Sequence, residues 1–345
     1  LNGAYTGNYQ TFYYNQLDGT GQAVAEFPLF YYFVAIQQNI FGDYSGIAKF
    51  NWILVLFFGL FSLFKIAHHF FKHFGLSLIV ALSPFSSPVF AIYIIDYRPD
   101  PIALNFTFIG LWLLLQAHLS SKKSTRVWAM IFIAIAGMMK PFFLIPFLAV
   151  LCVAVINRFW VKAKFIQLKW IHLVPFVAIA IWFVYKGWYN EHVGSDYFLS
   201  EPRPIWNYSA DQIWATLDAI QSKWLVDYIH PYFLAVFVVL VLVGLVWRTT
   251  ETKLWHLFYV FSVLGSLAFF VLFFNMFEQH AYYIYPVLFL IPLTLGKFFY
   301  QIRRLTSKSI VVHAIALGLG ILLVFSLQYT WQQTQQRRMV DRINA

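Results

Sequence analysis

Residues 127–157, VWAMIFIAIAGMMKPFFLIPFLAVLCVAVIN, form a run of 31 residues in which Lys140 is the only charge. As one helix the run would be about 46 Å long, too long for a hydrocarbon core of about 30 Å. A single crossing would also set Lys122, Lys123 and Arg126 on one face of the membrane and Arg158, Lys162 and Lys164 on the other. Two short crossings that turn at Met139-Lys140-Pro141 remove both conflicts. Pro141 forces the break, because it has no backbone donor to continue the ladder.

Working outward, the same reading gives ten candidate spans: 47–68, 75–95, 101–119, 127–139, 141–158, 171–188, 231–247, 255–276, 282–299 and 310–328. The connections at 65–73, 118–126, 158–169, 248–253 and 297–308 carry fifteen of the twenty-four Lys and Arg, with Glu251 their one acid. Basic short loops mark the cytoplasmic face. The other thirteen acids, from Asp18 to Asp341, then share the outer face, where any chemistry is expected. With 61% hydrophobic and 11% charged residues, against about 25% charged in soluble domains, the chain reads as an all-α polytopic membrane protein. Only helices and closed barrels satisfy the backbone in lipid, and alternating barrel strands of about 10 residues do not occur here. The net charge of +10 sits in loops where topology explains it, so no nucleic-acid partner is expected. Cys152 stands alone, which excludes a disulfide framework.

The expected organisation is an outer loop with an interfacial helix over 1–46, a transmembrane domain over 47–328 and a polar outer tail over 329–345, with no soluble domain. The apolar stretch 27–41 is short for a crossing and is closed by Gly42-Asp43; laid flat on the outer interface, it leaves the charge rule intact. The one long loop, 189–230, is external. Within it Ser209-Ala210-Asp211-Gln212 has capping-box spacing, and Ile213, Leu217, Ile220 and Trp224 recur on one helical face, as in a surface helix. An outer N-terminal segment with no span before it suggests that a first helix lies upstream of Leu1.

Four groups could carry chemistry. A lysine central in an apolar helix costs about 2.5–3.5 kcal/mol on insertion, so Lys140 is either functional or snorkelling; near the outer surface it could hold a phosphate. In Asp96-Tyr97-Arg98-Pro99-Asp100-Pro101, Asp100 reads as a helix cap with Pro101 following it. That leaves Arg98 for phosphate or carboxylate recognition. Glu278-Gln279-His280-Ala281-Tyr282-Tyr283 is either an aromatic belt or a groove in which His280 bonds a phosphate or sugar and Tyr282 and Tyr283 line the wall. Glu26 opens the 27–41 helix, where an acid also suits the helix dipole. No ligand spacing argues for a metal, and no glycine-rich loop for a nucleotide.

Taken in order, EFPLFYYFVAIQQNIFG at 26–42, SPVFAIYIIDYRPDPIAL at 87–104, GMMKPF at 137–142 and EQHAYYIYPVLFLIPL at 278–293 resemble the GT-C membrane glycosyltransferases, in particular the protein-mannosyltransferase-like and aminoarabinose-transferase-like branch. The resemblance implies sugar transfer, with inversion, from a polyprenyl-phosphate donor to a lipid, glycan or protein acceptor, without a cofactor. The site would be on the outer, periplasmic face of a bacterial inner membrane. Lys140 would contact the donor phosphate, with Arg98, Asp100, His280, Tyr282 and Tyr283 lining the site. The family's catalytic carboxylate follows its first helix, a region upstream of Leu1; within the chain, Glu26 and Asp18 belong to the same loop and are the candidate bases. A lipid-linked glycan polymerase or ligase, and a lipid or polysaccharide transporter, are the alternatives.

Overall fold

The computed structural model describes residues 27–42, 44–94, 98–163, 165–192, 202–247, 253–305 and 309–343. Every regular element among them is helical. In chain order the helices are α1 (Leu29–Phe41), α2 (Ser45–Phe71), α3 (Phe74–Leu82), α4 (Pro88–Tyr93), α5 (Pro99–Ser120), α6 (Lys123–Met139), α7 (Ile145–Ile156) and α8 (Val174–His192). They continue with α9 (Ala210–Ala219), α10 (Leu225–Tyr228), α11 (Pro231–Val246), α12 (Lys253–Leu272), α13 (Met276–Gln279), α14 (Leu290–Leu305) and α15 (Ser309–Ile343). Single-turn segments extend several of them.

Among the described residues seven helical stretches are long and apolar enough to cross a membrane: Gly46–Phe71, Pro99–Ser120, Pro141–Val161, Trp170–His192, Lys253–Leu272, Ala281–Arg304 and His313–Gln336. This is the architecture of an integral membrane protein. The other three expected spans take different forms. The stretch 75–95 is not one helix. Pro84 and Pro88 each open a new turn, so α3 gives way to a 3-10 turn over Ser83–Ser86 and then to α4. Neighbouring serines take up the groups the prolines leave: the Ser83 hydroxyl donates to the Val80 carbonyl at 2.8 Å, and the Ser87 backbone N–H to the Pro84 carbonyl at 3.1 Å. Helix α6 has 17 residues. Helix α11 has 16 residues, and it meets Ala210–Tyr228 at a bend of 98°.

The break at Lys140 is where the sequence puts it. α6 ends at Met139, Lys140 is extended (φ −152°, ψ 122°), and Pro141 opens a 3-10 turn. Gly42 stops α1 with a φ of 92°, a left-handed geometry that favours glycine. α1 packs on the start of α2, where the Phe30 and Trp52 rings are 4.2 Å apart, and beside α8, where Phe27 meets Trp182 edge-on at 5.1 Å. The stretch expected as a polar tail, 329–345, continues α15 in helical form to Ile343.

The turns collect at two ends. At one, Asp100 meets Lys140 and Phe142 meets Phe269 and Phe273. At the other, Lys65 lies over Trp112, His118 faces Phe165, and Phe70 touches Trp255 and Tyr300. Helix α2 passes so close to α5 that a Cβ on Gly59 would collide with the Asn105 side chain. Small residues allow such approaches between apolar helices.

Two charge assignments change. Lys297 belongs to α14 and not to a loop, and it is 1% exposed. Its ammonium donates to the Gly244 carbonyl in the last turn of α11, and sits 2.9 Å from His256 Nδ1 and 4.3 Å from the Tyr259 ring centre. Gln301 donates to the Trp247 carbonyl at 2.7 Å. Together they satisfy a helix C-terminus that would otherwise be stranded. In turn, Asp100 does not cap α5. Arg98 occupies the cap position in extended conformation, Pro99 is the first helical residue, and Asp100 lies in the first turn.

Candidate functional site

The start of α5, the break before Pro141 and the segment after α13 converge at one end of the bundle. Prolines set all three: Pro99 and Pro141 each start a helical turn, and Pro286 keeps Ala281–Val287 in a 3-10 form. Lys140 Nζ donates to both carboxylate oxygens of Asp100, each at 2.8 Å. The Asp100 side chain is 2% exposed and that of Lys140 is 20% exposed, so the carboxylate is sealed while the ammonium still reaches the surface. The nearby Thr107 hydroxyl donates to the Phe143 carbonyl at 3.2 Å and fixes the turn after Pro141 to α5.

Aromatic rings frame the two cations. The Arg98 guanidinium lies 4.2 Å from the Tyr282 ring centre and 5.1 Å from that of Tyr93. Lys140 Nζ is 4.9 Å from Tyr282 and 5.7 Å from Tyr283. The rings of His280, Tyr282 and Tyr283 stack on one another, with centroids 5.0–6.0 Å apart. Such faces attract cations. Burial, and then the Arg98 and Lys140 charges, push the His280 imidazole below the usual histidine range. It is therefore neutral at pH 7, able to donate one hydrogen bond and accept another.

No family model, curated protein or solved structure matches the chain. The site therefore rests on its geometry alone.

Of the residues singled out in the sequence, Arg98, Asp100, Lys140, His280, Tyr282 and Tyr283 come together. Glu26, Asp18 and Asp96 lie outside the described residues. Glu278 has another role: its carboxylate accepts from the Thr216 hydroxyl at 3.0 Å, and its carbonyl from Trp224 Nε1 at 3.1 Å. The capping box at Ser209 and Gln212 is formed in both directions. Through Thr216 and Trp224, the inner face of this helix docks on the protein's own α13 and not only on a membrane surface.

Two residues escaped the sequence reading. Tyr93, an unremarked aromatic at the end of α4, is the second ring beneath Arg98. Asp227 is 5% exposed, in α10, which packs against α4 and Ala281–Val287. Only its place beside Tyr228-Ile229-His230-Pro231, an apolar and aromatic stretch unusual for an acid, marks it in sequence. Among the described residues no group of three or more His, Cys, Asp or Glu is placed to hold a metal. Among the described residues, the arrangement sets Arg98, Lys140 and the sealed Asp100 carboxylate beside a wall of rings. That combination suits an anionic group attached to something with an apolar or sugar-like face.

Proposed function

We propose that this chain is a membrane glycosyltransferase that moves a sugar from a polyprenyl-phosphate donor to an acceptor at the outer face of a bacterial inner membrane. The observation that carries this reading is the convergence of Arg98 and Lys140 on the Tyr282–Tyr283 face, at the bundle end that also holds Asp100, Asp227 and Glu278. The GT-C-like arrangement with ten crossings belongs to the same proposal: α6, the broken α3–α4 stretch and α11 make up the three crossings beyond the seven long helices.

In this reading the donor phosphate rests against Arg98 and Lys140. As the acceptor oxygen attacks the anomeric carbon, the carbon–oxygen bond to phosphate breaks and its electron pair goes to the phosphate. The two cations stabilise that growing charge. A carboxylate takes the acceptor's proton, with Glu26 and Asp18 as this chain's candidates. Asp100 is a positioning residue that aims Lys140, and the tyrosine rings hold the sugar face while His280 bonds a phosphate oxygen or hydroxyl. Lipid, glycan or protein could supply the acceptor, and no cofactor is needed because the donor is already activated by its phosphate link.

The test is binding of a polyprenyl phosphate to the purified protein, together with its release from a polyprenyl-phosphate-linked sugar. Lys140→Ala and Arg98→Ala should each weaken binding at least tenfold, the loss of one charge-assisted contact of about 1.5–3 kcal/mol, while Lys140→Arg retains part of it. Undiminished binding in stably folded Lys140→Ala and Arg98→Ala proteins would overturn the reading.

A further inference from the structure

A cavity lies toward the other end of the bundle. It has a volume of about 490 Å³ and is walled by apolar side chains that include Leu63, Phe108, Leu115, Val150, Phe258 and Leu293. That volume falls within the ~300–1,000 Å³ common to small-molecule sites. The α5 residues that line it, Phe108 to Leu115, stand eight to fifteen residues from Asp100, about 12–22 Å of helix, and none of the Arg98–Lys140 site residues lines it.

Its rim is not apolar. Lys253, exposed at the start of α12, lines it, as do Val161 and Ala163 on either side of exposed Lys162. No acidic side chain among the described residues lines it. Trp255, also on the wall, adds an aromatic ring to the lining. The cavity thus combines room for a hydrocarbon chain with a cationic edge, at the bundle end where the basic loops collect.

We infer that this cavity holds one acyl chain of an anionic glycerophospholipid from the leaflet on the basic-loop side. Lys253 faces the phosphate. Charge complementarity selects the occupant. A zwitterionic lipid gains little from Lys253, and the chain of a donor anchored at Arg98 and Lys140 would have to enter from the far end.

Native mass spectrometry of the whole protein in detergent, with added phosphatidylglycerol or acyl-matched phosphatidylcholine, tests this. One phosphatidylglycerol per chain should be retained in preference to phosphatidylcholine. Lys253→Gln, an exposed substitution, should lower retention about fivefold, the worth of one lysine near an anionic headgroup. A Cβ on Gly296 would meet only Phe71, at 3.9 Å, so Gly296→Leu should project into the cavity and lower retention. Equal retention of the two lipids, or unchanged phosphatidylglycerol retention in Lys253→Gln, would overturn the inference. Competitive displacement of phosphatidylglycerol by polyprenyl phosphate would also overturn it, by assigning the cavity to the donor's tail. Polyprenyl-phosphate binding that depends on Arg98 and Lys140 would stand whichever result is obtained, since none of these substitutions touches that site.

Discussion

Replacing Lys140 with methionine removes the ammonium from a carboxylate that has almost no access to water. Asp100 is 2% exposed and accepts two hydrogen bonds from Lys140. Breaking such a pair from one side costs about 3–5 kcal/mol, because the abandoned charge stays buried. The opposite cut, Asp100→Leu, is gentler. Lys140 is 20% exposed and retains the faces of Tyr282 and Tyr283, so a loss of about 1–3 kcal/mol is expected. The double substitution leaves no buried charge and should return to within about 1 kcal/mol of the original stability, as apolar replacements of buried pairs often do. Unfolding in mixed micelles, followed by circular dichroism as denaturing detergent is titrated in, measures all four members of the cycle. The double variant should be more stable than Lys140→Met alone while binding polyprenyl phosphate at least tenfold more weakly than the original protein. A Lys140→Met protein within about 1 kcal/mol of the original, or a double variant weaker than both single ones, would refute the argument that a sealed pair sets this site.

His280 gives a pH signature. The unfolded imidazole takes up its proton near pH 6.5 while the folded one resists, so stability is fully present above that pH and is lost as pH falls toward the folded-state value. His280→Gln should flatten the slope of unfolding midpoint against pH below 7; an unchanged slope would place the titration elsewhere. For topology, single cysteines at Asp211 and Ser121, in a Cys152→Ala background, should react with an impermeant reagent from the outside and only after permeabilisation, respectively; the reverse pattern would put the acidic end in the cytoplasm and end the functional argument. Gly59→Leu should destabilise by about 1–3 kcal/mol through overpacking against Asn105. Gly46→Ala, with nothing near its Cβ, should be close to neutral, and equal effects in the two would contradict the close α2–α5 approach.

What the sequence makes legible here is local chemistry. Pro141 breaks its helix, Gly42 ends α1, and the Ser209–Gln212 box forms, because each outcome depends on a few neighbouring backbone groups. The failures have a common physical cause. Hydropathy averaged over 75–95 hides Pro84 and Pro88, whose missing donors decide the local geometry. Asp100 has the composition of a helix cap, but the lysine that claims it lies forty residues on. Lys297 resembles a loop charge until α11 and α12, 53 and 41 residues away, supply a carbonyl and an imidazole. Arg98, Asp100, Lys140, His280, Tyr282 and Tyr283 can be picked out in sequence because each sits at a break between long apolar runs, where a few polar residues stand together. Tyr93 and Asp227 cannot, since their significance comes only from which segments pack beside them.

The burial of Lys297 bears on how the chain enters the bilayer. A lysine inside an apolar segment raises the cost of partitioning that segment alone from the translocon, by up to about 3 kcal/mol at the centre. Its receptors, the Gly244 carbonyl and the His256 and Tyr259 side chains, all belong to segments synthesised earlier. When Ala281–Arg304 leaves the ribosome, α11 and α12 can already be waiting beside the exit as a hairpin ready to accept the ammonium. The order of the segments along the gene thus doubles as an order of assembly: moved ahead of α11, α14 would have to cross with its charge unmet.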